Sequence, residues 1–387
     1  MKTEQSIYLD YAATTPVDER VLAVMMPYFS DVYGNPSSIH HFGQLADAAL
    51  EQARAKLAAS LNATADEIVF TANGTESDNL ALRSTAFLER EKRGATHILT
   101  TPLEHPAITR TVNDLAKLHG FMVDILPVDD TGRVLLQDVD SLISQETALV
   151  SVIYASNEIG TINPIAEIGA ICRRHGIPLH TDAVQAAAHL RMDVEADQVD
   201  LLSLGAHKFY GPKGVGALYV RRGLEVLPVQ TGGGQEGGRR AGTQNIPYIV
   251  GMAEAFQLAQ QEADTRADRL EALRDELITA VVEQIPHTRL TGHRNQRLPN
   301  HASFAFEGVD GYTLLMMLDV AGFSCSSGSA CKAGTPQVSE ALTAIGLPRE
   351  WALGALRVTL GKFTTRQHIL ALIAALPDIV RRARAMG

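Results

Sequence analysis

A lysine just past a buried strand end is the first residue of this chain whose position suggests chemistry. Residues 200–216 read DLLSLGAHKFYGPKGVG. The apolar run 201–204 predicts a buried strand, Gly205-Ala206 ends it, and His207-Lys208 follow. A turn-rich segment, 210–214, leads into a second predicted strand, 215–220. Strand ends are where α/β proteins bind their ligands. A lysine partly withdrawn from water there holds its proton less tightly, and the free amine attacks carbonyls. Lys208 is therefore a candidate Schiff-base lysine holding an aldehyde cofactor. The plainer alternative is a surface lysine at a strand end.

Other residues fit the same chemistry. Asn73-Gly74-Thr75-Glu76-Ser77 follows a predicted strand and opens a helix. Free amides and the positive dipole end there suit a phosphate; alternatively Thr75 simply caps the helix. Asp182 ends a predicted strand and could keep a pyridine-type ring protonated, which makes the ring an electron sink. Asn157 ends another strand and could donate to a ring hydroxyl; turn capping is the alternative for both. His105, in Glu104-His105-Pro106, could stack on a flat cofactor or move protons, or be a packed histidine. Residues 232–243, GGGQEGGRRAGT, are glycine-rich with two arginines and suit an anion or a subunit-crossing loop. Residues 324–334, SCSSGSACKAG, place Cys331 beside Lys332 in a small, polar segment, which suits a reactive thiol. Arg357, on a late predicted strand, could grip a carboxylate with its planar fork.

The elements that must position these residues alternate. Strands are predicted at 67–71, 97–100, 121–126, 148–154 and 178–181, with helices at 18–29, 45–57, 73–91, 107–119 and 165–175. That rhythm implies a mixed, mostly parallel sheet covered by helices on both faces. Residues 252–284 form one long amphipathic segment leading to a smaller α+β domain, with strands at 302–307 and 356–359 and helices at 311–321 and 366–386. The chain has 387 residues, 45% hydrophobic and 20% charged, enough for a large and a small domain with sizeable cores. A net charge of −10 argues against nucleic acid or an anionic membrane as the main partner. Three cysteines, Cys172, Cys325 and Cys331, are too few and too odd in number for a disulfide framework. The first residues lack a signal-peptide pattern, and no apolar run is long enough to span a bilayer. The expectation is a soluble, cytoplasmic protein.

Together these residues resemble the cysteine desulfurases, pyridoxal 5'-phosphate enzymes of aminotransferase class V and fold type I. The matching stretches run from YLDYAAT at 8–14 to LGKFTT at 360–365 and cover essentially the whole chain. AHKFYGPKG around Lys208, NEIGTINPI at 157–165 and SSGSAC at 326–331 carry it most specifically, and the last resembles the NifS/IscS-like subgroup. The resemblance implies an α/β fold with a large cofactor-binding domain, 15–256. A small domain, 1–14 and 257–387, would carry the catalytic cysteine loop, about 324–335. It implies that Lys208 binds the cofactor covalently and moves the substrate's α-proton, and that His105 stacks on the ring and assists. Asp182 would pair with the ring nitrogen, and Asn157 and Gln185 would contact the ring hydroxyl. Gly74, Thr75 and His207 would bind the phosphate, with Thr243 from the other subunit of a homodimer. Asn157 and Arg357 would hold the substrate carboxylate. Cys331 would take sulfur from L-cysteine, releasing alanine, and pass its persulfide to a sulfur acceptor or an iron–sulfur scaffold protein. No resident metal is implied. Gly205 stands where the family usually has a phosphate-binding serine, and Cys325 is extra, either packing or a resolving thiol. A selenocysteine lyase or another lyase of this fold, and a non-catalytic scaffold, are the alternative readings.

Overall fold

The computed structural model describes residues 6–327 and 338–386. A short arm begins with β1 (Ile7–Tyr8). The strands β2 (Ile68–Thr71), β3 (His97–Thr100), β4 (Met122–Ile125), β5 (Thr147–Ser151), β6 (Leu179–Asp182), β7 (Leu201–Gly205) and β8 (Gly216–Val220) follow. They form one seven-stranded sheet in the order β2-β8-β7-β6-β5-β3-β4. β8 runs antiparallel to both of its neighbours and the other pairings are parallel. The alternating strand and helix pattern of the sequence is thus realised as a mixed, mostly parallel sheet.

Side-chain alternation divides the strands between two cores. Phe70, Leu202, Leu204 and Tyr219 face one core, closed by Leu50, Leu57, Ile168 and Phe256 from helices on that side. Val69, Leu201, Leu218 and Val220 face the other, with Leu80, Ile108 and Leu115. Burial on both faces is what lets the central strands read as continuous apolar runs. β4 lies at the sheet edge and is largely exposed, and it is shorter than the sequence suggests.

The segment expected as one element over 252–284 is two helices, Ile246–Gln261 and Ala263–Gln284. The break is Glu262, whose ψ of 0° departs from helical geometry. Phe256 and Ala259, before the break, pack in the large core, whereas Leu270 and Leu277, after it, pack in a separate one. That third core is built on β9 (Thr288–Leu290), β10 (His301–Phe306) and β12 (Ala355–Thr359), in the order β12-β10-β9. Helices Gly311–Val320 and Arg366–Arg384 complete it. β11 (Phe323–Ser324) pairs with β1, so the arm joins the small unit, and Leu9 is buried in its core. We propose that the domain boundary, expected after residue 256, lies at the Glu262 break. Among the described residues no helix is long and apolar enough to cross a membrane.

Candidate active site

The parallel strands deliver their chemistry to one end of the sheet. β2 runs into Asn73-Gly74-Thr75, β3 into Glu104-His105, β5 into Asn157, β6 ends at Asp182, and β7 runs into His207-Lys208. One cavity of about 290 Å³ lies there, lined by Gly74, Thr75, His105, Asn157, Asp182, Gln185, His207, Lys208 and Arg357. It lies at the small end of the range for ligand pockets, about 300–1,000 Å³, which suits a single-ring ligand.

Lys208 donates from Nζ to the carbonyl of Ala12 at 2.5 Å and of Ala13 at 2.9 Å. Burial first, and then the Arg357 charge, bring its ammonium down to about 8, against partial opposition from Asp182 and Asp10. Asp182 Oδ1 accepts from the Val184 amide at 2.9 Å, and burial raises its carboxyl above the ordinary value. His105 caps the helix Pro106–His119 by accepting from Ala107 N at Nδ1. Burial lowers its pKa, so a neutral imidazole is favoured. His207 is pulled down to about 4 by burial and the nearby lysines, with Nδ1 3.2 Å from Thr14 Oγ1.

The phosphate expectation is refined at one residue. Asn73, not Thr75, caps the helix Gly74–Arg93: its Oδ1 takes the Glu76 amide at 2.8 Å and its carbonyl takes the Ser77 amide. The Gly74 and Thr75 amides precede the first intrahelical bond, and both residues line the cavity. A Cβ at Gly74 would meet Val184 Cγ2 at 2.7 Å, so glycine keeps that approach open. Gly205 is buried just behind, where a Cβ would sit 3.6 Å from Gly74 N and 3.4 Å from Val184 Cγ1. A serine would therefore fit, and here that hydroxyl is replaced by space.

Gln185 Nε2 donates to the Ala12 carbonyl at 2.9 Å. The Asn157 carbonyl accepts from Arg357 Nη1 at 2.9 Å and lies 3.2 Å from His301 Nε2. Arg357 Nη2 pairs with Asp10 at 2.9 Å. Thr243 is exposed and does not line this cavity; the expectation puts it in a partner's site. Cys331 and most of the cysteine loop lie outside the described residues. Cys325 packs against the small core, and burial pushes its thiol well up, which fits packing rather than a resolving role. Cys172 is a core residue whose thiol is pushed up to about 12.

Sequence reasoning missed four contributors. Ala12 and Ala13 act through backbone carbonyls, which leave no mark in residue type. Asp78 lines the cavity one turn beyond Thr75, buried with Oδ1 unpaired among the described residues, and helical spacing alone would have found it. Glu104 is buried and raised to about 8; its Oε1 accepts from Ile153 N at 2.7 Å and from Thr101 Oγ1 at 2.8 Å, tying the end of β3 to the end of β5.

A buried amine, a buried carboxyl and a helix N-terminus thus meet at one cavity. The Aminotransferase class-V family matches residues 7–372. The chain belongs to that family, in its cysteine desulfurase branch. It is 44% identical over 384 residues to cysteine desulfurase IscS of Dictyoglomus turgidum, covering 99% of this chain and 97% of that protein. Its fold superposes on a solved NifS-like protein with a TM-score of 0.91 at 37% identity, over 97% of this chain and 100% of the other. SspA, solved in complex with cysteine, matches with a TM-score of 0.79 at 36% identity, over 92% and 99% of the two chains. These likenesses support cysteine desulfurase activity over the lyase and scaffold alternatives, and they span the whole described fold.

Proposed function

We propose that the cavity beside Lys208 holds pyridoxal 5'-phosphate and that this desulfurase works on L-cysteine with Cys331 as sulfur carrier. The observation that carries the reading is the convergence of Lys208 Nζ, Asp182 and the Gly74–Thr75 amides on one cavity of about 290 Å³. The residues fit the group by donor chemistry. The helix end would take a phosphate and Asp182 a ring nitrogen, and His105 and Gln185 also line the cavity. When bound, the cofactor supplies an electron sink for bonds at the substrate's α-carbon.

The chain's own residues supply the rest. Lys208, with a pKa of about 8, is partly neutral at physiological pH and can take or return a proton. Asp182, whose carboxyl burial raises, would serve as counter-charge to a cationic ring. Neutral His105 can shuttle a proton without repelling that ring. Arg357 offers a guanidinium for the substrate carboxylate. The Cys331 thiolate would bond to the substrate sulfur as the bond between that sulfur and the β-carbon breaks; the carbon keeps the electron pair, takes a proton and leaves as alanine, and the Cys331 persulfide passes its outer sulfur to an acceptor. SspA crystallised with cysteine supports this substrate class. Leu22, Met26, Phe29, Tyr33, Ile39 and Phe42 are exposed along one stretch of chain, which supports a homodimer that would bring Thr243 to the partner's site. A cytoplasmic location, and iron–sulfur or thiolation partners, accompany this reading.

Purified protein mixed with pyridoxal 5'-phosphate and L-cysteine should release equal amounts of alanine and, under reductant, sulfide. Cys331→Ser should keep cofactor binding and stop sulfide release. Full-rate sulfide release by that variant would sink the assignment of the carrier.

A further inference from the structure

We propose that Asp10 sets substrate selectivity by sharing Arg357. The site would then admit amino acids with a single carboxylate and turn away those with a second. This rests on the reading in which Arg357 holds the substrate carboxylate.

The guanidinium is already largely committed. Its Nη2 donates to Asp10 Oδ1 at 2.9 Å and its Nη1 to the Asn157 carbonyl at 2.9 Å. Nε is buried and has no hydrogen-bond partner among the described residues. Arg357 lines the cavity, so unused donor capacity remains for one ligand carboxylate. The Arg357 side chain is only 8% exposed and that of Asp10 19%, so solvent screens the pair weakly.

Asp10 cannot readily move aside. Its backbone bridges to Thr359, and its carbonyl accepts from Tyr8 Oη at 2.9 Å and from Ala13 N at 3.0 Å. The pair therefore presents close to zero net charge before a ligand arrives. One carboxylate gains directed hydrogen bonds that outweigh the residual repulsion from Asp10. Asp10 stands behind Arg357 and does not itself line the cavity, so a second carboxylate gains none of those bonds and meets the charge of Asp10 through the weakly screened field of the pair, a like-charge cost that discriminates between ligands. The charge of Asp10 also reaches Lys208, where it opposes the lowering by Arg357. The charged groups acting on Lys208 are Arg357 from β12, Asp182 from β6 and Asp10 from the arm, and the titratable imidazoles of His105 and His207 also interact with it.

The test is competitive inhibition of sulfide release by L-aspartate and by L-alanine in the cofactor-loaded enzyme. Asp10→Asn keeps an acceptor for Nη2 and removes the charge. It should tighten aspartate by about tenfold or more and alanine by no more than about threefold. Asp10→Glu, which keeps the charge, should keep the wild-type ratio. Asp10→Ser repeats the charge test should Asp10→Asn fail to fold. A second readout needs no cofactor: the pH dependence of Lys208 acylation should move to lower pH in Asp10→Asn. Equal responses to the two inhibitors, or an unmoved Lys208 profile, would overturn the proposal. A wild-type protein that takes up no pyridoxal 5'-phosphate would instead sink the underlying reading.

Discussion

Removing the charge of Arg357 should slow the capture of aldehydes by Lys208 at neutral pH. The Lys208 ammonium falls from 10.5 to about 8, first through burial and then through Arg357. At pH 7 a group of that pKa is roughly one-tenth neutral, against roughly 0.03% for an ordinary lysine. The difference is about 300-fold in free amine, or roughly 3 kcal/mol. Arg357→Gln removes one repelling cation and leaves Asp10 without its partner, and both changes favour the ammonium. A single neighbouring charge shifts a pKa by roughly one unit at the low end of its range. Burial remains, so only part of the lowering is reversed. The assay is the rate of imine formation with pyridoxal, which lacks the phosphate anchor, followed by absorbance from pH 6 to 10. The wild-type rate should rise with pH and level off above about 8. Arg357→Gln should level off later and react about tenfold more slowly at pH 7. A wild-type profile still rising steeply at pH 10, or a variant profile displaced to lower pH, would refute the electrostatic account.

Three further outcomes follow from the geometry. Gly205→Ser should be tolerated, because its Cβ meets Val184 at an ordinary 3.4 Å, and its hydroxyl would stand near Gly74 N. It should tighten pyridoxal 5'-phosphate severalfold in a fluorescence titration and leave pyridoxal unchanged; an equal effect on both would exclude a phosphate contact. Glu104 has a folded pKa raised to about 8 from 4.5, so between those values the native state holds a proton that the unfolded state has lost. Stability from this group therefore falls as pH rises through that window. Glu104→Gln should flatten the decline of the melting temperature between pH 5 and 8, and an unchanged slope would count against a protonated Glu104. Glu236, fully buried, accepts from Arg54 at 2.6 and 3.0 Å and from the Phe70 amide at 2.9 Å. Glu236→Gln should cost about 3 kcal/mol by removing the buried counter-charge and leaving Arg54 only the exposed Glu51 carboxylate and the Ile68 carbonyl, read by denaturant unfolding. A loss below about 1 kcal/mol would mean that Arg54 finds another partner.

The strand-end residues were legible because two signals coincide at each of them. A buried apolar run marks the strand, and a polar residue with chemistry follows at once, as at Asp182 and Lys208. Parallel strands send those ends to one side, so their convergence follows from topology rather than from any motif. Other features left weaker traces. The cap of the helix Gly74–Arg93 went to Asn73 because asparagine and threonine both cap well and stand two residues apart. The apparent single helix over 252–284 is divided at Glu262, which as a good helix former gives no local warning. The helix Leu136–Leu142 was missed because only Val139 among its residues is buried, which leaves no periodic stripe.

The arm was the least legible part, and the reason is physical. Its work is done by backbone and by contacts very distant in sequence. The carbonyls of Ala12 and Ala13 hold Lys208, Ala12 N donates to Thr359 Oγ1, and Thr15 Oγ1 accepts from Tyr210 N at 2.8 Å. Tyr210 carries φ of +65°, a conformation costly for a non-glycine residue. It is held there from three directions: by Thr15 at its amide, by the Asp18 amide at its carbonyl, and by Lys362 N at its hydroxyl. That strained residue stands two positions beyond Lys208, so the same contacts that hold it also fix where the amine emerges. Each contact closes a chain separation of more than 150 residues. The site therefore cannot preform locally: Lys208 acquires its burial, and with it its lowered pKa, only when the cores of both the large and the small unit have folded and the arm has closed over the sheet end.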